Sequence, residues 1–199
     1  MKKTYFTTKR IAYIAIFTAM SIALKTFSFN VTVSNKISLM TSMNILAGIF
    51  TGPIGGFIVG ALGDGIGFLI NPAGGAWMPL ITLVSGLSGL IPGLVFKIKK
   101  LHSIVKIVLS IVLVYFICTV LLNSLIIYYF FIQNRKTFFV WWLTRIPLQS
   151  GVYLVNSILV IVLYKVLEPR INFNFKEKKI EITSENIPKT EINEADYKL

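Results

Sequence analysis

The chain has 199 residues, 55% of them hydrophobic, and a mean hydropathy of +0.74, which is more apolar surface than one soluble core of this length buries, so it is a lipid-embedded chain. Its formal net charge of +12 does not signal nucleic acid. Seven of the eight acids, Glu168, Glu177, Glu181, Glu185, Glu191, Glu194 and Asp196, fall at the carboxyl end and leave Asp64 as the lone acid before them, and the cations cluster where membrane topology wants them.

A bilayer core of roughly 30 Å asks for about 20 apolar residues per helix, and only helices or closed barrels satisfy the backbone in lipid. Long unbroken apolar runs predict an all-α membrane protein of six transmembrane helices, near residues 11–29, 38–52, 54–70, 77–96, 104–132 and 138–167. The membrane domain is thus 1–167, and 168–199 reads as a polar, disordered cytoplasmic tail of mixed charge. Lys2, Lys3, Lys9 and Arg10, then Lys97, Lys99, Lys100 and Lys106, then Lys165 and Arg170 put both termini in the cytoplasm by the bias of short loops. A basic start followed by an apolar run and small residues at Ser21 and Ala23 also fits a secretory signal peptide. The even span count with both ends inside favours a first membrane span.

In span one, Ala15, Ala19 and Ala23 recur at steps of four, a small-residue strip suited to helix docking either within the chain or against a partner. Lys25 stands at its outer end. Spans two and three meet at Gly52-Pro53 and predict a tight helical hairpin, since proline removes a donor and favours a helix start. Gly48, Gly52, Gly56 and Gly60 make a smooth stripe that ends at Asp64. A carboxylate inside a span is expensive and marks either an ion pair, with Arg145 or Lys25, or a ligand contact. Asn71-Pro72-Ala73-Gly74-Gly75-Ala76 predicts a rigid outer turn, beside which Trp77 offers an aromatic face to a ring-shaped ligand.

In span six, Trp141 and Trp142 mark an interface. Arg145 comes next, suited either to snorkelling or to an anionic ligand, with Gln149 and Asn156 roughly on its face. Gly86-Leu87-Ser88-Gly89 matches the string of intramembrane serine proteases. The single histidine, His102, lies in a basic loop, so that serine has no base. One histidine, one cysteine (Cys118) and one membrane acid make no metal site of ordinary ligand count, and no cofactor is expected. The chain also lacks a phosphate-binding loop, so it is not predicted to be an enzyme, and energy for active transport would come from partners.

Residues 12 to 97 resemble the substrate-binding (S) components of energy-coupling-factor transporters, and within them the folate branch. The resemblance runs from the alanine strip and Lys25 through Asn35-Lys36-Ile37-Ser38-Leu39 and Ala47-Gly48-Ile49-Phe50-Thr51-Gly52-Pro53-Ile54-Gly55-Gly56. It continues through Gly60-Ala61-Leu62-Gly63-Asp64, Asn71-Pro72-Ala73-Gly74, Pro79 and Gly89-Leu90-Ile91-Pro92-Gly93. It implies a six-helix subunit in a bacterial cell membrane that captures a vitamin, folate first and pantothenate as the main alternative, in an outward pocket. It also implies that Ala15, Ala19 and Ala23 meet an EcfT-like membrane coupling subunit joined to two cytoplasmic ATPases. Two departures touch the ligand. Pro79-Leu80-Ile81-Thr82 stands where folate-type relatives have Pro-Gly-Phe-Thr, and Lys25 replaces an arginine.

The expected binding set is therefore Asp64 on a polar ring edge, Arg145 and Lys25 on carboxylates, Trp77 stacking, and Asn71 and Gln149 beside them. The competing classes are a membrane scaffold or channel and a membrane-embedded enzyme.

Overall fold

The structure is a computed structural model that describes residues 8–32, 35–72, 77–98, 102–132 and 137–169. The expected tail beyond 169 and residues 73–76 of the expected Asn71–Ala76 turn lie outside the described residues.

Helix α1 (Thr8–Thr26) begins three residues before the expected span and ends three before it. At its end Phe27 and Ser28 donate backbone hydrogen bonds to the carbonyls of Ala23 and Lys25, at 3.2 and 3.0 Å. Between α1 and the next helix the chain departs from the purely helical expectation. Strands β1 (Phe29–Thr32) and β2 (Asn35–Ile37) form an antiparallel hairpin, with Phe29 opposite Ile37 and Asn30 opposite Lys36, and a register irregularity between Asn30 and Thr32. The β-branched pair Val31-Thr32 prefers extended backbone, a local preference to which a search for long apolar runs is blind.

Helix α2 (Met40–Ile70) covers both the second and third expected spans as one 31-residue element, interrupted at Gly52 with φ 80° and ψ 179°. That φ lies in the region glycine enters without a steric penalty. The chain turns back on itself there. A β-carbon placed on Gly56 would stand 2.6 Å from the Gly48 Cα, whereas eight residues of straight helix separate two Cα atoms by about 12 Å. The Met40 side chain likewise reaches Gly63, so the two halves run antiparallel as a hairpin.

Helix α3 (Pro79–Phe96) starts on a proline, which fits the first turn, and lies against both halves of α2. A β-carbon on Gly48 or Gly56 would collide with the Gly89 carbonyl, and one on Gly60 with that of Ser85. The glycine stripe is thus a backbone-to-backbone seam between α2 and α3, the arrangement small residues permit in membranes. Asn44, 2% exposed, bolts three helices together. Its Oδ1 accepts from Ser21 Oγ of α1 at 2.9 Å, and its Nδ2 donates to Ser88 Oγ of α3 at 3.1 Å.

The next apolar rod, Ser103–Phe130, begins as α4 (Ser103–Val114) and passes through a π-helical stretch π1 (Tyr115–Asn123), a short α5 (Ser124–Ile127) and a second stretch π2 (Tyr128–Ile132). Helix α6 (Phe138–Leu167) keeps the boundaries read from sequence. Asn156 joins it to the head of α2, accepting from Ser42 Oγ at 2.6 Å and donating to the Ser38 carbonyl at 3.1 Å. Among the described residues four helices, α2, α3, the Ser103–Phe130 rod and α6, are long and apolar enough to cross a membrane.

The bundle has two unlike ends. Where α1 begins and α3 and α6 finish, Phe17 stacks on Phe50, and Phe50 on Tyr164, with centroids 6.0 and 5.7 Å apart. There Arg10 Nε donates to the Thr51 carbonyl at 2.8 Å, supplying a cation to the helix end that Gly52 creates. The exposed Lys9, Lys97 and Lys165 lie at this end. The hairpin, the end of α1, the start of α3 and the first turns of α6 occupy the other.

Candidate functional site

Asp64 comes late in the second half of α2, where the smooth stripe lets α1 and α3 approach, and it is 6% exposed. Its carboxylate is engaged on both oxygens. Lys25, equally buried, forms an ion pair with Oδ1 and donates to the Asp64 carbonyl at 2.7 Å, while Thr82 Oγ1 of α3 donates to Oδ2 at 2.7 Å. Of the two readings of Asp64 left open by sequence, the ion pair with Lys25 is therefore present, and Arg145 is not its partner. Lys25 lies along Gly67, where a β-carbon would fall 2.7 Å from its Cδ, and its ammonium sits 6.0 Å from the Phe68 ring centroid. Glycine at 67 is what lets the lysine stem pass.

The chain of polar contacts runs outward from this pair. Trp77 Nε1 donates to Thr82 Oγ1 at 3.2 Å, and its ring is 54% exposed. Asn71 Nδ2 donates to the Thr26 carbonyl at 3.0 Å, which holds the end of α2 against the end of α1. Lys25, Asp64, Asn71 and Trp77, far apart in sequence, thus share one corner of the bundle.

Arg145 and Gln149 are elsewhere. Arg145 does not snorkel: it is 2% exposed, lies 5.2 Å from the Trp141 ring centroid, and donates through Nη1 to Ser124 Oγ at 3.1 Å. Gln149 is half-buried one turn along α6. No hydrogen bond joins Arg145 to the Lys25–Asp64 corner among the described residues, so the expected binding residues fall in two groups. Ala15, Ala19 and Ala23 are all exposed, with Ile16 and Met20 exposed beside them, so the strip faces away from the other described helices.

Thr82 and Ser124 escape a reading of the sequence as partners of the buried charges. Thr82 sits inside a family-like segment but carries no periodic signal. Asn123-Ser124, by contrast, interrupts an apolar run, and such a polar pair in a span is a visible cue.

Together these features describe a polytopic membrane protein with a buried, charged corner at one end. The sequence matches the family model of the ECF-type riboflavin transporter, S component, over residues 5–169, and the chain belongs to that family of substrate-binding transporter subunits. Its structure is similar to the crystal structure of FolT bound with folic acid, with a TM-score of 0.66 and 26% identity over 79% of this chain and 93% of that one. It also shares the fold of the S component of a bacterial ECF transporter, with a TM-score of 0.60 and 19% identity over 83% of this chain and 98% of that one. No curated protein matches the sequence.

Proposed function

We propose that this chain is the vitamin-capturing subunit of an energy-coupling-factor uptake transporter in the bacterial cell membrane, with folate as its ligand. Six crossings then place both termini in the cytoplasm and the Lys25–Asp64 corner toward the outside, in keeping with the Lys and Arg of the opposite end.

The observation that carries the reading is the buried Lys25–Asp64–Thr82 cluster with Trp77 at its edge. A carboxylate offers about four acceptor positions and an ammonium three donors, so the pair, already hydrogen-bonded, still presents an acceptor and a donor side by side. The donor–acceptor edge of a pterin suits that pattern, with Trp77 stacking on its face and Asn71 beside it. Arg145, with Gln149 nearby, takes a carboxylate of the glutamate tail. Buried polar contacts of this kind discriminate because a wrong ligand leaves them unpaired.

Likeness to FolT bound with folic acid over most of this chain supports folate. The description of the matching family model favours a second ligand, riboflavin. Equilibrium binding of radiolabelled folate and of riboflavin to the purified protein separates the two, and Asp64→Asn should weaken folate at least tenfold. Unchanged folate affinity in that variant removes the proposed corner. The exposed face of Ala15, Ala19 and Ala23 meets the membrane coupling subunit, which joins two cytoplasmic ATPases.

A further inference from the structure

Buried charge is unevenly matched in this molecule. Lys25 and Asp64 neutralise each other, while Arg145 has no carboxylate partner among the described residues and its Nε makes no hydrogen bond. An isolated buried guanidinium is strongly disfavoured, because the field of a charge in a low-dielectric site is not relieved by one hydroxyl and one aromatic ring.

A second unmatched atom belongs to the residue next to Ser124 in the chain. Asn123 Oδ1 is buried without a partner among the described residues, and Asn123 precedes Ser124, the residue that accepts from Arg145 Nη1. Asn123 closes π1 and Ser124 opens α5, so the change of helical pitch occurs at the residue that holds Arg145 of α6 and its neighbour. Trp142 Nε1 donates to the Val120 carbonyl at 3.3 Å and pins the same stretch to α6. The donor left open, Arg145 Nε, belongs to a cation, and the acceptor left open beside Ser124 is a neutral amide oxygen.

We propose that Arg145, Asn123 and Ser124 form a receptor for the N-acyl amino acid end of the ligand, the carboxylate on Arg145 Nε and the neighbouring amide N–H on Asn123 Oδ1. This rests on the vitamin-capture reading and deepens it. Lys25 is answered by Asp64 and takes no ligand charge, so one buried positive charge remains among the described residues, and it calls for one buried carboxylate. Folate and pantothenate both carry an amide N–H beside a carboxylate, whereas riboflavin carries no carboxylate and leaves Arg145 unanswered. The ligand therefore lies with its acyl amino acid end toward α5 and α6 and its other end toward α1 and α3.

The test compares folic acid with its diamide, in which both carboxylates are converted to neutral amides, on the purified full chain. Losing a buried, hydrogen-bonded charge pair corresponds to about a 30-fold or larger weakening. Folate should therefore bind the wild type at least about 30 times more tightly than the diamide does, and Arg145→Gln should bring the two close together by weakening folate alone. A merely structural role for Arg145 predicts that both ligands weaken equally. Asn123→Leu, which removes the amide oxygen but leaves Arg145 in place, should weaken pantothenate or folate, whichever binds the wild type, and provides a second readout if Arg145→Gln misfolds.

Equal, measurable binding of folate and its diamide by the wild type overturns the receptor, as does binding of pantothenate that Asn123→Leu leaves unchanged. Binding of riboflavin alone, indifferent to Arg145→Gln, overturns it while leaving vitamin capture intact. Binding of none of the three vitamins overturns the capture reading itself, and the receptor falls with it.

Discussion

Single side chains carry the chemistry of this bundle because lipid leaves so few of them polar. Thr82 makes one hydrogen bond to Asp64 Oδ2 and accepts one from Trp77, so it links the buried carboxylate to the exposed ring. Thr82→Val keeps the shape and removes both. Leaving a buried acceptor unpaired costs about 1–3 kcal/mol, so the thermal unfolding of the purified variant in detergent should begin earlier, and ligand affinity should fall as Trp77 loses its tether. An unchanged melting profile would show that the carboxylate does not depend on α3. At this scale sequence is informative about which residues matter and poor about their pairing. A lone Asp64 and a lone Arg145 announce themselves by residue type and depth. Which cation meets which carboxylate depends on the rotation of α1 and α6, and periodicity constrains that to no better than a helix face.

Elements obey simpler rules, and more of them are readable. The bounds of α6 and the position of α3 come directly from apolar runs edged by proline, tryptophan and lysine, and the α2 reversal from the Gly52-Pro53 step. The extended hairpin after α1 is not readable in this way, because strands of four and three residues are too short to register against runs of about twenty. Nor are the π-helical stretches, Tyr115–Asn123 and Tyr128–Ile132, since an apolar run reads the same at either helical pitch. The glycine seam gives a sharp test. Gly89 faces the backbone of Gly56 so closely that a β-carbon there would strike the Gly56 carbonyl. Gly89→Ala must therefore part α2 from α3, at a cost of about 1–3 kcal/mol from overpacking. Gly65→Ala, placed where nothing lies within 4 Å, is the matched control and should leave stability nearly unchanged. Comparable losses in both variants, measured as the fraction that survives heating in detergent, would contradict the seam.

For the whole molecule, the two sides of α1 are the informative contrast. Inward it presents Ser21 and Lys25 to Asn44 and Asp64, and outward it presents Ala15, Ala19 and Ala23. A bulky residue on the outward side should spare ligand capture and block a partner. Ala19→Trp is therefore expected to bind ligand with wild-type affinity in the purified subunit and to abolish ATP-driven uptake when the coupling subunit and ATPases are supplied. Normal uptake by that variant would remove the strip as a docking face, and lost binding would assign it to folding.

The clasp of Arg10 on the Thr51 carbonyl has a mechanical side. One helix of 19 residues is fastened at its first turn to the midpoint of α2 and at its last turn, through Lys25, to the far leg of the same element. A force applied anywhere along the outer edge of α1 therefore acts on both anchor points together, so a tug from outside the bundle tilts helix and hairpin as one lever instead of sliding one past the other.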